Sequence, residues 1–133
     1  MKIVKLTFSM LIDGHPHTAF AVPGSFVAST LVFTDPEGTV FRLEMDAPRL
    51  SITETGRNVL HLPLEEGVLT EGSVRTAGMV VPIAAKTTRL VFSESSLEAI
   101  YELRNGDAVL SHHTLRLAWK PDESTRKEPT QTW

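Results

Sequence analysis

What most constrains this chain is an alternation of apolar and polar side chains that begins at its second residue. Val4, Leu6, Phe8, Met10 and Ile12 fall on one side of a two-residue period, with Lys5, Thr7 and Ser9 on the other. That period belongs to a β-strand with one buried face. It returns in the stretch LVFTDPEGTVFRLEMDAPRLSITETGRNVLHLPL, residues 31–64. There Phe41, Leu43 and Met45 alternate with Val40, Arg42 and Glu44, Leu50 and Ile52 with Arg49, Ser51 and Thr53, and Leu60, Leu62 and Leu64 follow.

Turn chemistry separates these runs. Asp13-Gly14 is a two-residue hairpin signal. In Asp35-Pro36-Glu37-Gly38, proline presets φ at the second turn position and glycine accepts a positive φ. Glu54–Asn58 reads as a further turn, Pro23-Gly24 as a break, and Glu65-Glu66-Gly67 and Glu71-Gly72 as loop material. Residues 73–81 read as a strand with a bulge at Gly78, ended or confined to an edge by Pro82. Residues 87–93 form another strand.

Residues 95–106 support two readings. Ser95-Ser96-Leu97-Glu98 has the form of a helix capping box, with Asn105-Gly106 at the far end. Leu97, Ala99, Tyr101 and Leu103 also alternate, Asn105-Gly106 suits a type I′ hairpin, and a strand follows, which favours a strand. Val109, Leu115, Leu117 and Trp119 are then expected to point inward.

Turns spaced about 8–12 residues apart predict an antiparallel, immunoglobulin-like β-sandwich of about eight or nine short strands, with a small closed β-barrel as the alternative. Phe8, Phe33, Phe41, Leu60, Leu62, Phe92 and Trp119 are its expected core. The domain is expected over residues 1–119. Residues 120–133, KPDESTRKEPTQTW, are polar, aperiodic and contain two prolines. They read as an arm in which Lys120, Arg126, Lys127 and Trp133 contact a partner.

Composition narrows the function. A chain of 133 residues can bury roughly two-thirds of its unfolded surface without a staple. It has no cysteine, which excludes disulfides and thiolate metal sites and fits a reducing compartment. A net charge of −3 argues against a nucleic-acid partner. No run approaches the ~20 apolar residues of a membrane-spanning helix. Lys5 interrupts MKIVKLTFSMLIDG, and no A-x-A-like site precedes Asp13-Gly14, so the segment reads as a first strand rather than a signal peptide.

Several side-chain patterns bear on chemistry. His15-Pro16-His17 places two imidazoles on one strand face, and His112-His113 adds one ring to each face of the last strand. His15, His17 and His113 are thus candidate metal ligands in a cupin-like arrangement. The glutamate that should follow soon after is absent, the next being Glu37. The competing reading is an exposed hairpin tip and a hydrogen-bonded His113. No Gly-x-Ser-x-Gly elbow is present, and Ser93, Ser95 and Ser96 suit turn hydrogen bonds. Glu65-Glu66 and Asp35 with Glu37 are carboxylate pairs in loops, where solvation is the usual fate. With Trp119 inward, a sugar-binding face would have Tyr101 and Trp133 to offer. No catalytic residue and no cofactor are expected.

The order over residues 26–93 carries a family likeness. A strand enters a Pro-x-Gly turn (LVFTDPEGTV), a strand enters an acidic glycine turn (LSITETGRNVLHLP), then Glu71-Gly72-Ser73-Val74-Arg75 and TTRLVFS lead into strands. This resembles the N-terminal β-sandwich domain of phage baseplate upper proteins. The resemblance implies a non-enzymatic virion component, a tail or baseplate connector or a capsid decoration protein. It would be made in the host cytoplasm and would assemble with other virion proteins or as a homo-oligomer through sheet edges and the arm. It transfers no catalytic residue. No long helical or receptor-facing region follows, which departs from that family. A cupin-like metal-binding barrel and a carbohydrate-binding sandwich are the alternatives.

Overall fold

The computed structural model describes residues 1–122; Arg126, Lys127 and Trp133 lie outside the described residues. The described chain is all antiparallel β: β1 (Lys2–Ile12), β2 (His15–Val27), β3 (Thr30–Thr34), β4 (Val40–Asp46), β5 (Arg49–Thr55), β6 (Val59–Glu65), β7 (Leu69–Thr76), β8 (Met79–Phe92), β9 (Ser96–Asn105) and β10 (Ala108–Pro121). Among the described residues no helix is long and apolar enough to cross a membrane.

The expected sandwich is corrected to the barrel. Each strand pairs with its sequence neighbour, and β1 also pairs with β10, from Val4 opposite Pro121 to Ile12 opposite His113. A sandwich needs a chain that crosses between two sheets. Here short turns forbid such crossings, and the ten-stranded meander closes on itself. Strand 95–106 is β9, not a helix, because its inward residues Leu97, Ala99 and Tyr101 complete the barrel interior.

The turns explain most other departures. Asp13 and Gly14 both have positive φ, as a type I′ hairpin requires. Ala77 and Gly78 form a second turn with positive φ at both positions, so Gly78 joins β7 to β8 and is no bulge. The last hairpin turns on Gly106-Asp107 rather than Asn105-Gly106, since Asn105 still pairs with Ala108. A cis Ala47–Pro48 bond makes the turn between β4 and β5.

Pro23-Gly24 does not break β2. Pro23 lies where β2 has no β3 partner, so its missing N–H costs no ladder bond there. Gly24 faces the interior, where a Cβ would come within 2.7 Å of Leu6 Cδ2. Glu71-Gly72 lies within β7, and a Cβ at Gly72 would overlap the His61 carbonyl oxygen. Pro82 sits inside β8, before β8 begins to pair with β9 at Ala84. Val109 is exposed because the register shift around Leu110 inverts the alternation beyond it. Lys120 belongs to β10, opposite Lys5, so the strand continues past residue 119.

The interior has two levels. The turns at residues 28–29, 47–48, 66–68 and 93–95 lie at one end, and those at 13–14, 35–39, 56–58, 77–78 and 106–107 at the other. Near the first end, Val4, Leu6, Leu31, Leu43, Leu50 and Leu64 are buried at 1% exposure or less. Phe26 and Trp119, with centroids 5.2 Å apart, cap that end. Above this layer lies a cluster of four phenylalanines. Phe8 stacks on Phe20 at 4.8 Å, Phe33 on Phe41 at 4.9 Å, and Phe8 and Phe41 meet at 5.4 Å. Of the expected core, Phe8, Phe33, Phe41 and Leu62 are fully buried, while Leu60, Phe92 and Trp119 are half-buried and pack against it.

Candidate functional site

Above the phenylalanine layer the barrel is not filled. A cavity of about 500 Å³ occupies the second end. Its apolar wall includes Phe8, Met10, Phe41, Leu60, Leu62 and Leu103, and its polar groups include Asp35, Glu37, Glu54, Tyr101, His17 and His113, with the hydroxyls of Thr18 and Thr39. Strand pairing explains why it opens here. β2 pairs with β1 up to His15 but with β3 only over Gly24–Val27. Where β3 stops at Thr34, the Asp35–Thr39 turn and the unpaired part of β2 frame a gap instead of a continuous ladder.

Glu54 is on the inward side of β5 by simple parity with Leu50 and Ile52. It is half-buried, and that burial, helped by the nearby Asp35 carboxylate, raises its pKa above the ordinary value. No cation pairs with it among the described residues. Asp35 is fixed by its own turn: its Oδ1 accepts the backbone N–H groups of Glu37 and Thr39, each at 2.9 Å. Glu37 is exposed at the outer rim.

Tyr101 lies deeper, 5% exposed, and stacks on His113 with centroids 5.0 Å apart and planes 8° apart. Burial first, then the Glu54 charge, pushes its phenol well above the usual range, so it is a neutral hydroxyl. His113 Nε2 lies 2.7 Å from Ser111 Oγ, whereas its Nδ1 is buried without a partner. Desolvation depresses the His113 pKa, so above its ordinary value of 6.5 the ring is neutral. In the tautomer whose Nε2–H donates to Ser111, Nδ1 presents a lone pair to its surroundings.

The expected metal ligands are only partly brought together. His17 and His113 line the same cavity, whereas His15 is exposed beside the Asp13-Gly14 turn and does not. His17 is the extra residue of a bulge opposite Met10 and Leu11, which interrupts the period that would align it with His15. His112 faces outward, 3.5 Å from Asp13 and 3.4 Å from Glu102. Among the described residues no group of three or more His, Asp or Glu side chains converges as a metal site would require.

Tyr101, expected to be available to a sugar face, is instead inside the barrel. Glu65 and Glu66 serve structure. Glu65 pairs with Arg49 at 2.7 Å, and the Glu66 carboxylate accepts the Leu90 N–H at 2.7 Å. Glu54 was the residue hidden from the sequence, where it reads as turn material. Extending the Leu50-Ile52 alternation by one step places it on the inward face.

No family model matches the chain. No curated protein matches it in sequence. In fold it is similar to the crystal structure of the ywiB protein from Bacillus subtilis, with a TM-score of 0.69, 11% identity, and coverage of 91% of this chain and 92% of that one. At that identity the likeness concerns the barrel alone, and it spans nearly the whole of both chains.

Proposed function

We propose that this barrel is a non-enzymatic binding protein that holds a small, largely apolar molecule in its mouth. The observation that carries the reading is the cavity of about 500 Å³, floored by aromatic and aliphatic side chains and rimmed by a few polar ones. Ligand sites in general are concave, mostly apolar and oriented by a small number of polar groups, and barrel mouths are a recurrent place for them. The phenylalanines beneath it pack ring against ring, which favours a preformed site.

The neutral fluorophore N-phenyl-1-naphthylamine tests this. It should bind with a blue-shifted emission, at a stoichiometry of about one per chain as a single preformed pocket requires. Leu60→Trp, which fills the cavity from β6, should weaken it by roughly tenfold or more. A wild-type protein that gives no saturable signal, or a Leu60→Trp variant that folds by circular dichroism and binds unchanged, would overturn the reading.

The virion connector or decoration role remains a separate proposal that rests on the turn pattern of residues 26–93. Closure of the barrel restricts its edge-to-edge component to short unpaired segments such as the first half of β2. Its arm component depends on residues outside those described.

A further inference from the structure

We infer that the molecule held in the mouth carries a protonated amine or another cationic hydrogen-bond donor at one end of an apolar body. This rests on the binding reading above and specifies its ligand class.

The acidic groups of the cavity have no basic counterpart of lysine or arginine type among the described residues. Three carboxylates line it, Asp35, Glu37 and Glu54. The outer wall of the barrel is organised differently. There Glu98 meets Arg89 at 2.6 Å and Arg116 at 2.9 Å, Glu65 meets Arg49, and Glu44 meets Arg42 at 3.4 Å. The chain therefore has arginines and matches them to acids outside, yet leaves the acids of the mouth without a cation among the described residues. Like-charged carboxylates in a low-dielectric recess repel one another and are costly to desolvate. Asp35 and Glu54 are close enough for each other's charge to matter. A ligand cation would relieve both costs at once, and the focused field of such a recess would favour its capture.

A second, independent feature points the same way. His113 Nδ1 is buried with no hydrogen-bond partner among the described residues, although the ring lines the cavity. Orphaned buried polar atoms are rare in native structures and call for a partner. In the tautomer whose Nε2–H donates to Ser111, Nδ1 can only accept. Carboxylates likewise only accept when ionised. A ligand that satisfies the carboxylates must bring donors, which an ammonium does and a carboxylate or phosphate does not. The face of Tyr101 and the phenylalanine cluster beneath suit the rest of such a molecule, and an ammonium near an aromatic face gains further.

The test uses three probes of one chain length, octylamine, 1-octanol and octanoate, each displacing N-phenyl-1-naphthylamine from the full chain near neutral pH. Octylammonium should displace at a concentration roughly tenfold below octanol, with octanoate weakest. Glu54→Gln should remove most of that advantage. Equal displacement by octylammonium and octanol, preference for octanoate, or an unaltered advantage in Glu54→Gln would overturn the inference while leaving the binding reading intact. If the fluorophore binds but no octyl probe displaces it, the inference fails; if the fluorophore itself does not bind, both fail.

Discussion

The two ends of this barrel are built from the same alternating strands and end up physically opposite. At the end capped by Phe26 and Trp119, inward positions hold Leu6, Leu31, Leu43, Leu50 and Leu64, all essentially inaccessible. At the other end β2 outruns β3, and the inward positions next in line are Glu54, Tyr101 and His113. The difference teaches that a strand's inward face is set by parity, while its contents decide between stability and binding. A closed end filled with leucine contributes to folding. An open end with a half-buried acid and an imidazole nitrogen that has no partner among the described residues gives up some stability.

Mutations should separate the two ends. Leu31→Ala, in the filled layer, should have the largest effect, a loss of about 2–5 kcal/mol by denaturant unfolding, because the surrounding leucines cannot collapse into the space. Leu103→Ala, on the half-buried cavity wall, should cost only about 1 kcal/mol, since part of the side chain already borders open space. It should leave N-phenyl-1-naphthylamine binding in place. If both variants lose the same stability, the two ends are equally packed and the comparison fails. The smallest effect is expected outside the barrel. Arg42 and Glu44 pair at 3.4 Å with side chains 56% and 48% exposed, and Arg42→Ala should change stability by less than about 0.5 kcal/mol.

The open end should also show itself in the pH dependence of stability. A carboxyl whose folded-state pKa is raised contributes most below its unfolded value, and that contribution is lost as pH rises through the folded value. Glu54 is such a group, so its ionisation at neutral pH weakens the fold. Glu54→Gln should therefore raise the melting temperature at neutral pH and have little effect near pH 4, around its unperturbed value. His113 acts with the opposite sign, because its depressed pKa makes stability fall as pH drops through its ordinary value of 6.5. Asp13, Glu98 and Glu102, whose pKa values are lowered chiefly by hydrogen bonds, lose their contribution at lower pH still. A melting-temperature difference between Glu54→Gln and the parent that stays flat with pH would place Glu54 in water rather than in the recess.

Much of this was legible in the residues. The alternation along β1, β4, β5 and β6 and the Asp13-Gly14 turn are local signals, written in neighbours one or two positions apart. Val109 and the His15–His17 pair were misplaced because a bulge inverts parity at a cost that no local pattern announces. Gly78 looked like a bulge and Gly72 like a loop because glycine has several uses. Only the turn from β7 to β8 and the close approach of the His61 carbonyl distinguish them. Tyr101 looked available to a ligand outside the barrel because a strand's exposed and enclosed sides are indistinguishable until the sheet is known to close. The cavity was not legible at all, since it depends on β3 ending before β2 does.

The amino-acid order by itself determined that this chain makes antiparallel strands with one apolar face, because side-chain direction in an extended chain repeats every two residues whatever the surroundings. Whether the sheet stays open or closes depends on β1 finding β10, residues more than a hundred positions apart. Only that long-range pairing turns the apolar face into an interior, and the unequal lengths of β2 and β3 leave part of that interior empty, lined by acids with no matching cation among the described residues.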